Sequence, residues 1–488
     1  MGMTSSTAMF RQIVGDAMRP PPPVVPLGAD CATAVARMAA LAASCVVVVD
    51  AAGRPLGILT DQDVTRRIAF QAPPGMPVET VMSRQVPTIA AGDRLYQAVA
   101  RMRRQGLTQM LVVDAAGLPA GLLGLDAALA SAAGALIGRM DRLARDGSVA
   151  GLGAVKSAEA GIVEEMLADG VPAPEIQAFL TDINRDIHCR VIEHALEAMR
   201  ESGWGAPPVP LCVLIMGSGG RGESNLDPDQ DNGFILGDYP DEAHPAIDRF
   251  YVELAERMTR DLDAIGIPFC EGNVMATNPA WRKTLPQWCR QVSGWVERRS
   301  VSATLMADIF FDFQLIHGEA ALADDLRRYV TELARRNRAL LSAMVREDTN
   351  SGAALGLFGR LVGEREDSIH RGRIELKVRG LLPMIACTRI LALAAGIAET
   401  GTLKRIAALA AAGVFNRADA DALDAAYHHI GFLLLRQQAA DIRAGNPPSP
   451  HVELKSLTGQ ERDLLADALK AIDRLRKHAQ LDLMGQAV

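Results

Sequence analysis

Along the first 130 residues, short apolar runs alternate with helix-like mixed segments, and the alternation occurs twice. Ala34–Met38 (Ala-Val-Ala-Arg-Met) recurs unchanged at Ala98–Met102, Val48–Gly53 recurs at Val112–Gly117, and Met18 matches Met82, all at an offset of 64 residues. Three matches in one register mean a tandem duplication, and a repeat sets the fold it belongs to. Each copy predicts a helix (32–41; 95–105), a short buried strand (45–49; 110–113) and a turn on Asp and Gly. In the first copy a second strand follows at 55–59, with a helix opening near Thr60.

Past residue 126 the pattern changes. Residues 127–135 are Ala-rich and helix-prone, and the Gly-rich segment 147–153 reads as a domain junction. Ile183, Ile187, Val191 and Leu196 keep near-helical spacing from Thr181 to Arg200, ended by Pro207-Pro208. Leu211–Met216 and Phe234–Leu236 are apolar runs of the buried-strand kind. Trp281, Trp288 and Trp295 recur every seven residues, which predicts a core stripe on one helix face, with Pro286 as a kink or break. From Ala320 onward Ala, Leu, Arg and Glu dominate and breakers are few, predicting an all-helical bundle.

The chain's 488 residues suggest about three domains at roughly 150 residues each. Hydrophobic residues make up 49% and charged residues 22%, so wholesale disorder is excluded. The net charge of −7 argues against broad nucleic-acid binding, which draws on a basic face. The seven cysteines are scattered without a Cys-x-x-Cys pair, as in reduced thiols rather than a disulfide frame or zinc site. The segment Met1–Asp16 lacks the apolar core of a secretory signal, and no run is apolar enough to span a bilayer. A cytoplasmic protein without membrane contact is expected.

Two segments carry candidate chemistry. After the run Leu211–Met216 comes Gly217-Ser-Gly-Gly-Arg-Gly-Glu223, whose glycines let backbone amides approach an anion. It is not a P-loop, because no Gly-Lys-Ser/Thr follows. Asp227-Pro-Asp-Gln-Asp231 comes next, leading into the second apolar run. In a strand, Asp229 and Asp231 point to the same face, a costly pairing unless a divalent cation neutralises it. An EF-hand is excluded, since the twelfth position from Asp227 is Asp238. A Gly-rich loop and an Asp-x-Asp pair together describe a nucleotidyl-transfer site. Further along, Arg371, Arg373, Lys377 and Arg379 form a basic cluster in an acidic chain, read as a solvated face or as a contact for phosphates or an acidic partner.

The duplicated strand–turn–strand–helix unit resembles a CBS domain, and two in tandem a CBS pair. The first copy carries Gly57-Ile-Leu-Thr60-Asp-Gln-Asp63, in which the resemblance makes Thr60 and Asp63 the holders of an adenine nucleotide's ribose. The second copy has Gly124 and Ala127 at those positions, so its site is expected to be weak or absent.

Gly217-Ser218-x-x-Arg221-x-Glu223 with Asp229-x-Asp231 resembles the DNA polymerase beta-like nucleotidyltransferases, and within them the enzymes that modify glutamine synthetase and the PII signalling protein. The resemblance implies that Gly217 and Ser218 hold the triphosphate, that Arg221 and Glu223 brace the loop or the phosphates, and that Asp229 and Asp231 are the catalytic metal ligands. Glu271 is the candidate for the third carboxylate. Ile309–Gly318, Ile374–Pro383 and Arg436–Pro448 extend the likeness to a bacterial family of signal-transduction nucleotidyltransferases with a CBS pair in front. No His-Asp dipeptide occurs, so the phosphohydrolase domain of the PII-modifying enzyme is expected to be absent.

The expected architecture is an α+β multidomain chain. It has a tandem CBS pair at 1–135 (copies about 10–70 and 75–130), a helical linker at 136–205 and a nucleotidyltransferase core at 206–290. A helical extension at 291–345 and an all-helical C-terminal domain at 346–488 follow. The expected function is transfer of an adenylyl or uridylyl group to a protein, with Mg²⁺ or Mn²⁺ and a nucleoside triphosphate, regulated by adenine nucleotide at the CBS pair. The acceptor, unnamed by this chain, is PII-like or glutamine synthetase-like by analogy, and a homodimer through the CBS pair is expected. The alternatives are an inactive nucleotide sensor and a small-molecule nucleotidyltransferase.

Overall fold

The computed structural model describes residues 13–65, 73, 75–84, 86–105, 107–125, 128, 147–298, 309–348, 361, 363 and 370–485. They fall into two compact units, divided after Arg142. Ala127, the helix-prone stretch to Ala135, the 135/136 boundary and the breaker at 352–359 lie outside the described residues, apart from Ala128.

In the first unit both copies form. Copy one is β1 (Val24–Pro26), α1 (Cys31–Ala40), β2 (Cys45–Val49) and β3 (Pro55–Thr60). Copy two is β4 (Thr88–Ala90), α2 (Leu95–Arg104), β5 (Gln109–Val113) and β6 (Pro119–Gly124). Each three-stranded sheet pairs its first two strands parallel and its last two antiparallel. The repeated residues perform repeated work. Arg37 Nη1 donates to Val24 O and Arg101 Nη1 to Thr88 O, both at 2.8 Å. Asp50 accepts from the amides of Ala52 and Arg54, and Asp114 from those of Ala116 and Leu118, which closes both turns. The remaining match, Met18 with Met82, reveals an exchange. Met18 lies against Gly121 of copy two and Met82 against Gly57 of copy one. Backbone bridges Arg19–Leu122 and Ile58–Ser83 fix both arms. The two sheets meet through Val47, Val49 and Leu111, and Ser44 and Gln109 are hydrogen-bonded across the join.

The second unit opens with two long helices, α3 (Val149–Ala168) and α4 (Ala173–Glu201). Residues 149–153, expected as part of a junction, are the first turns of α3, capped by Ser148. A four-stranded sheet follows, in the order β10 (Gln314–Gly318), β7 (Leu211–Ile215), β8 (Asn232–Leu236), β9 (Arg282–Thr284). Strand β7 is antiparallel to both neighbours, and β8 and β9 are parallel. Between β7 and β8 lies a short helix, α5 (Gly217–Arg221), and between β8 and β9 the amphipathic α6 (His244–Ile265). Trp281 sits in a tight turn ahead of β9, while Trp288 and Trp295 lie on α7 (Leu285–Arg298). The three rings are thus not on one helix. Pro286 falls in the first turn of α7, where no amide partner is lost. All three are buried, with Trp288 and Trp295 against Phe310 and Trp281 against both of them, and Trp288 donates to Phe234 O, so they are core.

The C-terminal part is helical: α8 (Ala320–Arg336), α9 (Arg338–Asp348), α10 (Leu382–Ala394), α11 (Thr402–Ala411), α12 (Arg417–Arg443) and α13 (Gly459–Met484). A two-stranded ribbon, β11 (Arg373–Glu375) with β12 (His451–Glu453), was not foreseen from composition. Among the described residues no helix is long and apolar enough to cross a membrane.

His188 is buried on α4 with Nδ1 2.6 Å from Asn184 O. Burial pushes its imidazole down to about 4 from an ordinary 6.5. Below pH 6.5 the unfolded chain binds a proton that the folded chain refuses. Stability contributed by neutral His188 is therefore present above pH 6.5 and falls by about 3 kcal/mol as the pH drops toward 4. Urea unfolding across this window should show a shallower pH slope for His188→Gln than for the wild type.

Candidate nucleotide and cation site

The loop between β7 and β8 is shaped by close contacts. Gly217 has φ +56°, and a Cβ there would lie 2.2 Å from Asp231 Oδ2. A Cβ on Gly220 would lie 1.7 Å from the carbonyl oxygen of Asp312. Only glycine fits either place. The first-turn amides of α5 have no intrahelical partner, and Met216 supplies no side-chain cap.

Asp229 and Asp231 precede β8 rather than lying on it, a departure from the expected strand placement. The buried Gln230 side chain donates to Thr259 O and Ile267 O, which keeps the segment out of regular pairing until Asn232. The carboxylates nonetheless converge: one ligand atom each of Asp229, Asp231 and Cys270 lies within 4.8 Å of the others. Burial, then the charge of Asp229, pushes the Asp231 carboxyl up to about 6. Its Oδ1 is buried with no hydrogen-bond partner. An orphaned carboxylate oxygen beside a second carboxylate fits a cation, so these residues suit a metal ion.

Glu271 does not join them. The turn closed by Asn273 N to Cys270 O leaves Glu271 exposed and brings the Cys270 thiol against Asp231. The group that converges with the two aspartates is thus the Cys270 thiol and not the Glu271 carboxylate expected as the third. Nothing in the sequence distinguished Cys270 from its neighbour.

Arg221 and Glu223 brace the loop. Arg221 Nε donates to Glu223 Oε2 and Nη1 to Asp312 Oδ2, both at 2.8 Å. Glu223 accepts from Thr402 N, and Thr400 Oγ1 donates to Gly220 O. Asp312 also takes Arg389 Nε at 3.0 Å and Nη2 at 2.6 Å, and Arg405 Nη2 at 2.7 Å. Its burial alone would raise the pKa, but Arg389, Arg405 and Arg221 outweigh that and hold the carboxyl well below the usual range. In the sequence Asp312 was a landmark only; the signal was a lone acid inside an apolar run.

A cavity of about 360 Å³ opens over the loop. Gly217, Ser218, Arg221, Asp229 and Asp231 line one side; Lys377, Leu381, Pro383 and Arg389 line the other. Lys377 begins a π-helical turn, Lys377–Leu381, that runs straight into α10. Of the basic cluster, Lys377 is the member that lines this cavity.

Three family models match the chain: CBS domain at 14–70 and 78–132, "Putative nucleotidyltransferase DUF294" at 158–301, and "Putative nucleotidyltransferase substrate binding domain" at 338–483. The chain carries a CBS pair, a DUF294 domain and its C-terminal substrate-binding domain, in that order. The loop and both aspartates lie within the nucleotidyltransferase match, and Lys377 and Arg389 within the substrate-binding match, so the cavity has one wall from each. No curated protein matches the chain. Among solved structures it is similar to a CBS domain protein from Pyrobaculum aerophilum complexed with AMP, at 20% identity over 25% of this chain and 100% of that one, TM-score 0.24. It is also similar to a CBS domain-containing protein from Bacillus anthracis, at 21% identity over 25% and 93%, TM-score 0.23.

In the CBS pair, Thr60 caps the helical turn after β3. Its hydroxyl donates to Asp63 Oδ2 at 2.8 Å, and its amide to the same oxygen at 3.1 Å. Gly124 stands in open space at the equivalent place.

Replacing Asp312 by Asn would leave the guanidinium groups of Arg221, Arg389 and Arg405 facing a neutral amide. Breaking a buried pair costs about 3–5 kcal/mol. The urea midpoint of Asp312→Asn should fall accordingly, while the unfolding slope stays the same.

Proposed function

We propose that the chain transfers a nucleoside monophosphate from a nucleoside triphosphate to a protein hydroxyl, as an adenylyl- or uridylyltransferase of signal transduction. The observation that carries this reading is the convergence of Asp229 and Asp231 beside a loop that only glycine can form, at the mouth of a cavity walled by two domains. Gly217 and Ser218 lie where backbone can approach phosphates, and Lys377 and Arg389 add positive charge opposite. Asp229 and Asp231 would hold Mg²⁺ or Mn²⁺, which supplies Lewis-acid polarisation of the phosphate oxygens. The acceptor oxygen bonds to the α-phosphorus, pyrophosphate leaves with the bridging electron pair, and the hydroxyl proton passes to solvent. The apolar residues Leu381 and Pro383 exclude water from that side. The acceptor hydroxyl belongs to a partner, with PII-like and glutamine synthetase-like proteins as analogues.

One observation favours a second reading, a nucleotide sensor without transfer: sulfur stands where a third carboxylate was expected. Labelled ATP and UTP with Mg²⁺ or Mn²⁺ and host lysate should yield a labelled protein band. A labelled small molecule would point to a small-molecule nucleotidyltransferase, and no label at all to the sensor. Asp229→Asn with Asp231→Asn should lower transfer roughly a hundredfold or more, since a lost metal clamp removes several kcal/mol. Its thermal midpoint should not fall, because like charges are removed.

The CBS pair is the regulatory input in this reading. Thr60 and Asp63 offer a hydroxyl and a carboxylate to a ribose diol, and copy two lacks that threonine. Calorimetry with AMP and ATP should give about one site per chain, lost in Asp63→Ala. A cytoplasmic homodimer through the CBS pair completes the proposal, supported by the small-residue stretch of α1 with Ala32, Ala36 and Ala39 beside Val35. Light scattering of the full chain should give the mass of two chains; a monomer at micromolar concentration would exclude the dimer.

A further inference from the structure

The segment 268–276 is tied to the aspartate segment by backbone. Gln230 N donates to Pro268 O at 3.2 Å and Asn232 N to Val274 O at 2.9 Å. Asn232 Oδ1 also accepts from Ala276 N at 2.9 Å. These bonds fix the position of the Cys270 turn, which puts the Cys270 sulfur within 4.8 Å of carboxylate oxygens of Asp229 and Asp231. Asp231 Oδ1 remains buried without a partner. Two carboxylate oxygens and one sulfur thus lie close enough together to share one ion.

We infer that Cys270 is the third ligand of the cation site, so that the site takes thiophilic divalent ions, Zn²⁺ and Cd²⁺, in preference to Mg²⁺. Mg²⁺ demands oxygen donors, whereas thiolate selects softer ions. On binding, the sulfur–hydrogen bond of Cys270 breaks, a metal–sulfur bond forms, and the proton passes to buffer. This rests on the reading of Asp229 and Asp231 as cation ligands but not on transfer: a chain that bound Cd²⁺ through Cys270 and labelled no protein would keep the inference and lose the activity.

The experiment titrates the chelator-stripped full chain with Cd²⁺, reading the ultraviolet sulfur-to-cadmium charge-transfer band and binding heat. The band should saturate at about one equivalent, vanish in Cys270→Ser and persist in Cys289→Ser, a cysteine far from the aspartates in sequence. Cys270→Asp should weaken Cd²⁺ binding by at least about tenfold and strengthen Mg²⁺ binding, with its circular dichroism unchanged. Asp229→Asn with Asp231→Asn should lose the one-equivalent band, which ties the sulfur to the carboxylates. A band of equal strength in Cys270→Ser would overturn the inference, as would Cd²⁺ binding to the wild type with no band. Equal affinity of the wild type for Mg²⁺ and Cd²⁺ would also overturn it.

Discussion

A single buried carboxylate joins the parts of the second unit. Asp312 has no exposed surface and receives guanidinium groups from three places: Arg221 at the end of the Gly-rich loop, Arg389 on α10 and Arg405 on α11. The sheet and the helical domain therefore share one charge. Such a cluster is weak as a net source of stability, because desolvation offsets much of the attraction. Its effect is geometric. Any packing that separates the helical domain from the loop strands at least one buried charge, and the backbone of Asp312 also fills the space beside Gly220.

The cavity follows from that constraint. With Arg221 directed toward Asp312 and Glu223 bonded to Thr402 N, the loop is held while Gly217 and Ser218 face the opening. The π-helical turn at Lys377–Leu381 brings a lysine over the aspartates without interrupting α10. Loop and roof are thus positioned by the same ion cluster, so the family's nucleotidyltransferase and substrate-binding domains act as one wall pair.

The repeat was legible because each copy carries a short apolar strand after a helix, buried throughout at Cys45–Val49 and through its middle at Gln109–Val113, so periodicity and duplication agree. The exchange of Met18 and Met82 between copies was not, because a residue's offset in sequence does not say which sheet it packs on. In the candidate site, glycine and aspartate were legible as residue types with few other uses at that spacing. Cys270 was not, since its approach to Asp231 depends on a turn and on backbone bonds to Gln230 and Asn232. Asp312 needed partners 77 and 93 residues later in the chain, which no local pattern encodes. The tryptophan spacing misled for the opposite reason: a regular interval of seven spanned a turn, a strand and a helix.

The central claim is that the Gly217 loop and the Asp229–Asp231 pair form one site for a triphosphate and its cation. A crystal structure of the full chain with Mn²⁺ and a non-hydrolysable nucleoside triphosphate tests it most directly. The anomalous signal of manganese should lie between Asp229 and Asp231, with the phosphates against Gly217 and Ser218 and facing Lys377. Manganese and nucleotide bound elsewhere, with this cavity empty at saturating ligand, would contradict the account.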